Sequence, residues 1–223
     1  MVSTRASSSR AGSAAPETPA TPSSPSRSKR SSGNAASSSG FQHNPTFWTM
    51  LWMGISLPLV IWDTIYVLGR PHTMEGGWMH KPFWAPYKLY GEVDHVYGWK
   101  AFNAGNGFTS AQGALNAIET AMYFYYLAAF YNLSGVKAAV SSRTASVAAI
   151  VGFSAAVMTL SKTLLYWLNE YYSGFDNIGH NDLLSLIFLW IIPNGAWLVG
   201  STYMIVSLGQ EIVDGLAGHA KSD

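Results

Sequence analysis

Beyond residue 45 the chain alternates between long apolar runs and shorter polar or mixed connections. Thr46–Leu68, Ala111–Leu133, Thr144–Leu168 and Leu183–Leu208 are the four runs. Each supplies about 20 or more residues, enough at about 1.5 Å of rise per residue to cross a hydrocarbon core of about 30 Å. The pattern predicts an all-α fold: a polytopic membrane protein with a four-transmembrane-helix bundle over residues 46–208. Four such runs with so little charge to coat an exterior argue against buried helices of a water-soluble protein. Residues 1–40 hold Ser, Ala, Pro, Gly and Arg with almost nothing to bury, which predicts a disordered cytosolic tail. Residues 209–223 are expected to form a short C-terminal tail.

The connections set an orientation. Lys and Arg gather in the N-terminal tail (Arg5, Arg10, Arg27, Lys29, Arg30) and in the second connection (Lys137, Arg143). The third connection, NEYYSGFDNIGHND, carries acids but neither Lys nor Arg. Positive charge favours the cytosolic side, so both termini and the 134–143 loop are expected there. The first connection, residues 69–110, is too long for a simple turn. It is dense in aromatics, Trp78, Phe83, Trp84, Tyr87, Tyr90, Tyr97, Trp99 and Phe102 among them. Rings with a polar edge favour the headgroup region, which predicts an interfacial lid folded over the mouth of the bundle.

Composition narrows the chemistry. Charged residues make up 11% of the chain and aromatics 14%, and there is no cysteine. Thiolate catalysis, disulfides and cysteine-ligated zinc are thereby excluded. The net charge of +1, with no basic stripe, gives no reason to expect nucleic acid as a partner. The loop histidines His72, His80 and His95 lack the tight spacing of a metal site, and no cofactor is expected.

Against that background the ionisable groups inside the runs stand out, because each costs roughly 2.5–3.5 kcal/mol at the centre of a membrane helix. They are Asp63 in the first run, Glu119 near the middle of the second and Lys162 in the third. Asn116, Glu119, Thr120 and Tyr123 fall at i, i+3, i+4 and i+7, one polar face on an apolar helix. Asn194, Trp197 and Ser201 repeat nearly that spacing on the last run, and Lys162 shares a face of the third with Tyr166. Three polar stripes are expected to converge inside the bundle, where ligand sites are built. Lys162 lies near enough to a helix end for snorkelling to the interface to be an alternative. Pro193-Asn194-Gly195 interrupts the last run, with Gly195 expected to allow close approach of a helix or ligand and Asn194 expected to meet Glu119.

The segments IETAMYFYYL, LLYWLNEYYSGFDNIGH and IPNGAWLV together resemble the EXPERA domain, shared by the emopamil-binding proteins (sterol Δ8–Δ7 isomerases) and the sigma-2 receptor family. The resemblance covers roughly residues 46–208. It implies that Glu119-Thr120 matches the E-T pair whose acid handles the substrate proton. It implies too that Asn194 and Trp197 match the N-x-x-W pair lining the sterol pocket. Asp63 matches the first-helix acid, and Asp94 resembles the loop acid of the sigma-2 branch. Leu59 stands where the isomerases carry a histidine, and the additional N-terminal span of the isomerases has no counterpart here. Residence in the endoplasmic reticulum is a further implication of the resemblance.

The residues themselves allow the same chemistry. Moving a double bond along a ring needs an acid for one carbon and a base for its neighbour. Glu119 in a dry pocket could serve as the acid, Trp197 could face the resulting cation, and Asn194, Asp63 or Tyr123 could orient or complete the relay. Catalysis is thus expected to fall to Glu119, Asp63, Asn194 and Trp197. Asn116, Thr120, Tyr123, Lys162, Tyr166 and Asp94 are expected to bind substrate, a sterol or terpenoid reached from the bilayer. The alternative is a non-catalytic sterol or amphiphile carrier built on the same pocket. A homodimer is compatible with either.

Overall fold

The computed structural model describes residue 41, residues 43–130 and residues 142–219. The expected tail (1–40), most of the 134–143 loop and the end of the second apolar run lie outside these residues. Among the described residues the fold is all-helical, with no strand. Helix α1 spans Phe47–Leu68, capped by Thr46, whose hydroxyl accepts from the Thr49 N–H at 3.1 Å. The loop after it carries two short helices, α2 (Pro86–Val93) and α3 (Trp99–Asn103). Helix α4 covers Phe108–Phe130 and α5 covers Ser142–Tyr172. The final rod starts as α6 (Leu183–Leu186), widens through a π-helical turn (Ile187–Ile191) and continues as α7 (Ile192–His219).

Among the described residues three helices are long and apolar enough to cross a membrane: Phe47–Leu68, Arg143–Tyr172 and Leu183–Gly218. Large apolar side chains stand exposed along them, such as Ile55, Leu165, Val199 and Val206, as expected of an integral membrane protein. Helix α4, at 23 residues, is long enough but falls short in apolarity. The cause is its polar face, with Gln112, Asn116, Glu119 and Thr120 on one helix. The apolar runs also understate two helices. Helix α5 continues to Tyr172, and α7 runs through much of the expected C-terminal tail.

Packing divides the bundle into two halves. At one end Met53, Leu57, Tyr123, Tyr126, Met204 and Leu208 close around Ala148, Ala155 and Ala156 of α5, whose small side chains let the neighbouring helices approach. Residues before α1 strap this end, since the His43 ring bonds both Glu211 and the Tyr126 hydroxyl. At the other end lies the 69–107 loop, folded back against α1. Met74, Trp84 and Tyr87 pack on Tyr66 and Val67 of α1. Two reciprocal indole bonds pin it: Trp62 Nε1 donates to the Phe83 carbonyl at 2.9 Å, and Trp84 Nε1 to the Trp62 carbonyl at 3.2 Å. Trp78 and Phe83 remain on the outer face.

The interruption in the last rod has a local explanation. Pro193 has no N–H and its ring crowds the preceding turn, so a regular α-helix cannot run through it unrelieved. The π-helical turn just before it supplies the relief, with the Ile192 N–H reaching back to the Ile187 carbonyl. The close approach expected at Gly195 occurs instead at Gly200. A side chain on Gly195 would have nothing within 4 Å, whereas a methyl group on Gly200 would overlap the Trp52 ring of α1. Gly200→Ala is therefore expected to destabilise the protein by about 1–3 kcal/mol. Gly195→Ala should be neutral or stabilise it by about 0.5–1 kcal/mol through lost chain entropy. Thermal unfolding of the two variants in detergent would check the contrast.

Candidate functional site

In the lid-end half of the bundle α1, α4, α5 and the last rod diverge around a cavity of about 440 Å³. Its walls are mostly apolar: Leu59, Val60 and Trp62 from α1, Phe108 from α4, Leu189, Pro193 and Trp197 from the last rod. The lid closes one side with Pro86, Tyr87, Leu89, Tyr90 and Tyr97. Polar groups gather where α1, α4 and α5 face each other, at Asp63, Asn116 and Lys162. An apolar pocket with a few convergent polar groups is the usual form of a small-molecule site.

Those polar groups form one chain of hydrogen bonds. The Tyr87 hydroxyl donates to Asp63 Oδ1 at 2.7 Å, and Asn116 Nδ2 donates to Asp63 Oδ2 at 3.2 Å. Lys162 Nζ donates to Asn116 Oδ1 and, at 2.8 Å, to Glu119 Oε2. Thr159 donates its hydroxyl to the same Glu119 oxygen at 2.9 Å. Lys162 and Glu119 are both nearly sequestered, with side chains 10% and 4% exposed. The lysine thus turns inward to answer a carboxylate and does not snorkel. Asp63, in contrast, meets neutral donors only.

The expected convergence is met by two stripes and modified by the third. The faces of α4 and α5 join through Asn116, Glu119 and Lys162. Asn194 lines the cavity, but its amide donates to the Trp190 carbonyl at 2.8 Å and towards the Tyr90 hydroxyl at 3.5 Å. It therefore does not meet Glu119. The widened turn before Pro193 breaks the regular carbonyl ladder, and the Asn194 side chain takes up one of its carbonyls. Trp197 lines the cavity and also a separate void of about 20 Å³ beside Glu119, Thr120 and Tyr123. Glu119 Oε1 is buried there with no donor. Thr120 and Tyr123 thus border the void, on the far side of the Lys162 bridge, and neither lines the larger cavity.

A second polar centre sits at the lid. Asp94 is fully buried and accepts from the Val96 N–H at 3.1 Å, from the Trp190 indole at 2.9 Å and from the Tyr166 hydroxyl. Tyr166 itself lines the cavity, so this carboxyl lies one hydroxyl away from it. Burial pushes the Asp94 carboxyl up to about 7, against the opposing pull of the Val96 and Trp190 bonds, and the nearby Glu170 carboxylate adds to the rise. Asp94 is held in place because the lid is tied to the 173–182 loop: Asn181 Nδ2 donates to the Val93 carbonyl and Lys100 pairs with Asp176, at 2.7 and 2.8 Å.

Sequence reasoning passed over Thr159, Gln112 and Trp190. Thr159 could have been found from its i, i+3 relation to Lys162, and Gln112 from its i, i+4 relation to Asn116. Trp190 stands at i, i+4 from Asn194, but nothing in that spacing pairs its indole with the loop residue Asp94. No metal-binding cluster of His, Asp or Glu occurs among the described residues.

Two measurements test this geometry. Lys162→Met leaves a buried Glu119 charge unanswered and should cost about 3–5 kcal/mol, most of it recovered in Glu119→Gln/Lys162→Met. Thermal unfolding of single and double variants in detergent reads the difference. For Asp94 the native carboxyl holds its proton to higher pH than the unfolded one. Its contribution to stability is full below pH about 4 and is lost as pH rises through about 7. Asp94→Asn should flatten that part of the pH profile of the unfolding temperature. No family model, no curated protein and no solved structure matches the chain, so its function has to be inferred from this cavity and the residues around it.

Proposed function

We propose that the protein is an EXPERA-like membrane isomerase that moves a double bond in a sterol or terpenoid by adding one proton and removing another. The observation that carries this reading is a half-buried carboxyl, Asp63, on the wall of a largely apolar cavity, with Lys162 committed to Glu119. In this reading α4 is the fourth span. Its polar face turns towards α1 and α5, so its low apolarity reflects the site and not exposure to lipid. The distribution of Lys and Arg then puts both termini in the cytosol and the lid on the opposite side, and the resemblance points to the endoplasmic reticulum.

The reaction balances within the chain's own groups. Asp63 gives its proton to one alkene carbon, and the cation that forms at the neighbouring carbon lies against the Trp197 ring. Such a contact stabilises a desolvated cation by about 2 kcal/mol or more. An adjacent carbon then loses a proton to the Asp63 carboxylate, which restores the acid for the next turnover. One proton enters and one leaves, so no redox partner is consumed. Glu119 works behind Asp63, holding Lys162 and through it the Asn116 amide that orients the acid.

A carrier function is favoured by one specific observation: Leu59, an apolar residue, lines the cavity at the position where the isomerases have a histidine. Purified protein in nanodiscs and deuterated water, supplied with sterol and terpenoid alkenes, separates the two. An isomerase places deuterium at a ring carbon, and Asp63→Asn lowers the rate by about 10²–10⁴-fold. Retained ligand with no label above the Asp63→Asn background would leave the carrier reading.

A further inference from the structure

The hydrogen-bond inventory at the polar end of the cavity constrains what a ligand must present there. The Tyr87 hydroxyl already donates to Asp63, and the Tyr166 hydroxyl to Asp94. Thr163 donates to the Thr159 carbonyl at 2.8 Å, and Asn116 Nδ2 donates to Asp63. An ammonium has three N–H donors, and Lys162 uses one on Asn116 and one on Glu119. The third remains, on a residue that lines the cavity. Gln112 stands beside it, its amide donating to the Lys162 carbonyl at 3.3 Å. One unspent group at this end is therefore a positively charged donor in an apolar enclosure. An amine there would meet like charge, and a bare hydrocarbon would leave the N–H unanswered at a desolvation cost.

We infer that Lys162 is a specificity-determining residue that receives a carbonyl oxygen, so the ligand is a sterol or terpenoid ketone or aldehyde and not a cationic amphiphile. This rests on the proposed function only in taking the ligand to be an apolar terpenoid body. A carbonyl suits the site better than a carboxylate, because a ligand anion would face the Glu119 carboxylate across a short distance in a medium of low dielectric constant. It also leaves the Lys162–Glu119 pair intact, since the third N–H is used and neither existing bond has to break.

The test uses two probes with one skeleton, cholestan-3-one and 3-aminocholestane, bound to the full chain in nanodiscs and followed by native mass spectrometry. The wild-type protein should bind the ketone at least about tenfold more tightly than the amine. Glu119→Gln/Lys162→Met removes the donor without stranding a charge. It should weaken the ketone about ten- to hundredfold, the range for a hydrogen bond from a charged donor, while the amine moves by less than about threefold. An amine bound as tightly as the ketone by the wild type would overturn the inference. So would an equal loss of both probes in the double variant, which would mean a collapsed pocket. Ketone preference without deuterium labelling would sink the isomerase reading alone, and labelling without ketone preference would sink this inference alone.

Discussion

A lysine ammonium inside an apolar helix bundle has to be answered by negative charge, and the centre of this structure is arranged around that demand. Lys162 on α5 is met by Glu119 on α4 at 2.8 Å, with Thr159 and Asn116 filling the remaining geometry. Breaking a pair of this kind is far more costly than exchanging it for apolar packing, so neither partner is free to leave. The pair fixes α4 against α5. Asn116 then carries the constraint to Asp63, which is how α1 joins the same network.

The cavity is a consequence of where that network sits. Alanines on α5 let the helices close tightly at the strapped end, where Tyr126 and Met204 fill the interior. Towards the lid end the helices leave the cavity, lined by Trp62, Phe108, Tyr166 and Trp197. The lid then roofs the space with Tyr87, Tyr90 and Tyr97. Tyr87 stacks on Tyr66 at 3.7 Å and donates to Asp63, so one ring serves both as roof and as hydrogen-bond donor. An apolar enclosure with charge confined to one end is suited to a molecule with a large apolar body and one polar group.

Much of this was legible in the chain. The length of the apolar runs identified the long helices, because a membrane span needs an apolar run of fixed length. Intramembrane cost singled out Asp63, Glu119 and Lys162, all of which the structure joins in one network. The aromatic density of residues 69–110 marked the loop that folds over the helices. The polar face of α4 was equally visible, although it also lowers that helix below the apolarity of its three neighbours. Stripe spacing failed for Asn194. Spacing puts residues on one face without choosing their partners, and the Asn194 amide is taken by the Trp190 carbonyl one turn back.

What the sequence determined by itself was which segments are helical and which few charges must be buried, since both depend on local apolarity and on the cost of ionisable groups away from water. Which charge answers which was decided only by the tertiary structure. Lys162 had a choice between the interface and the interior, and it was the placing of Glu119 and Asn116 within reach that settled it. The same holds for Asp94, a loop residue that becomes buried because the lid and the 173–182 loop bring Tyr166 and Trp190 onto it. Partners distant in sequence are chosen by packing, and packing is a property of the assembled bundle.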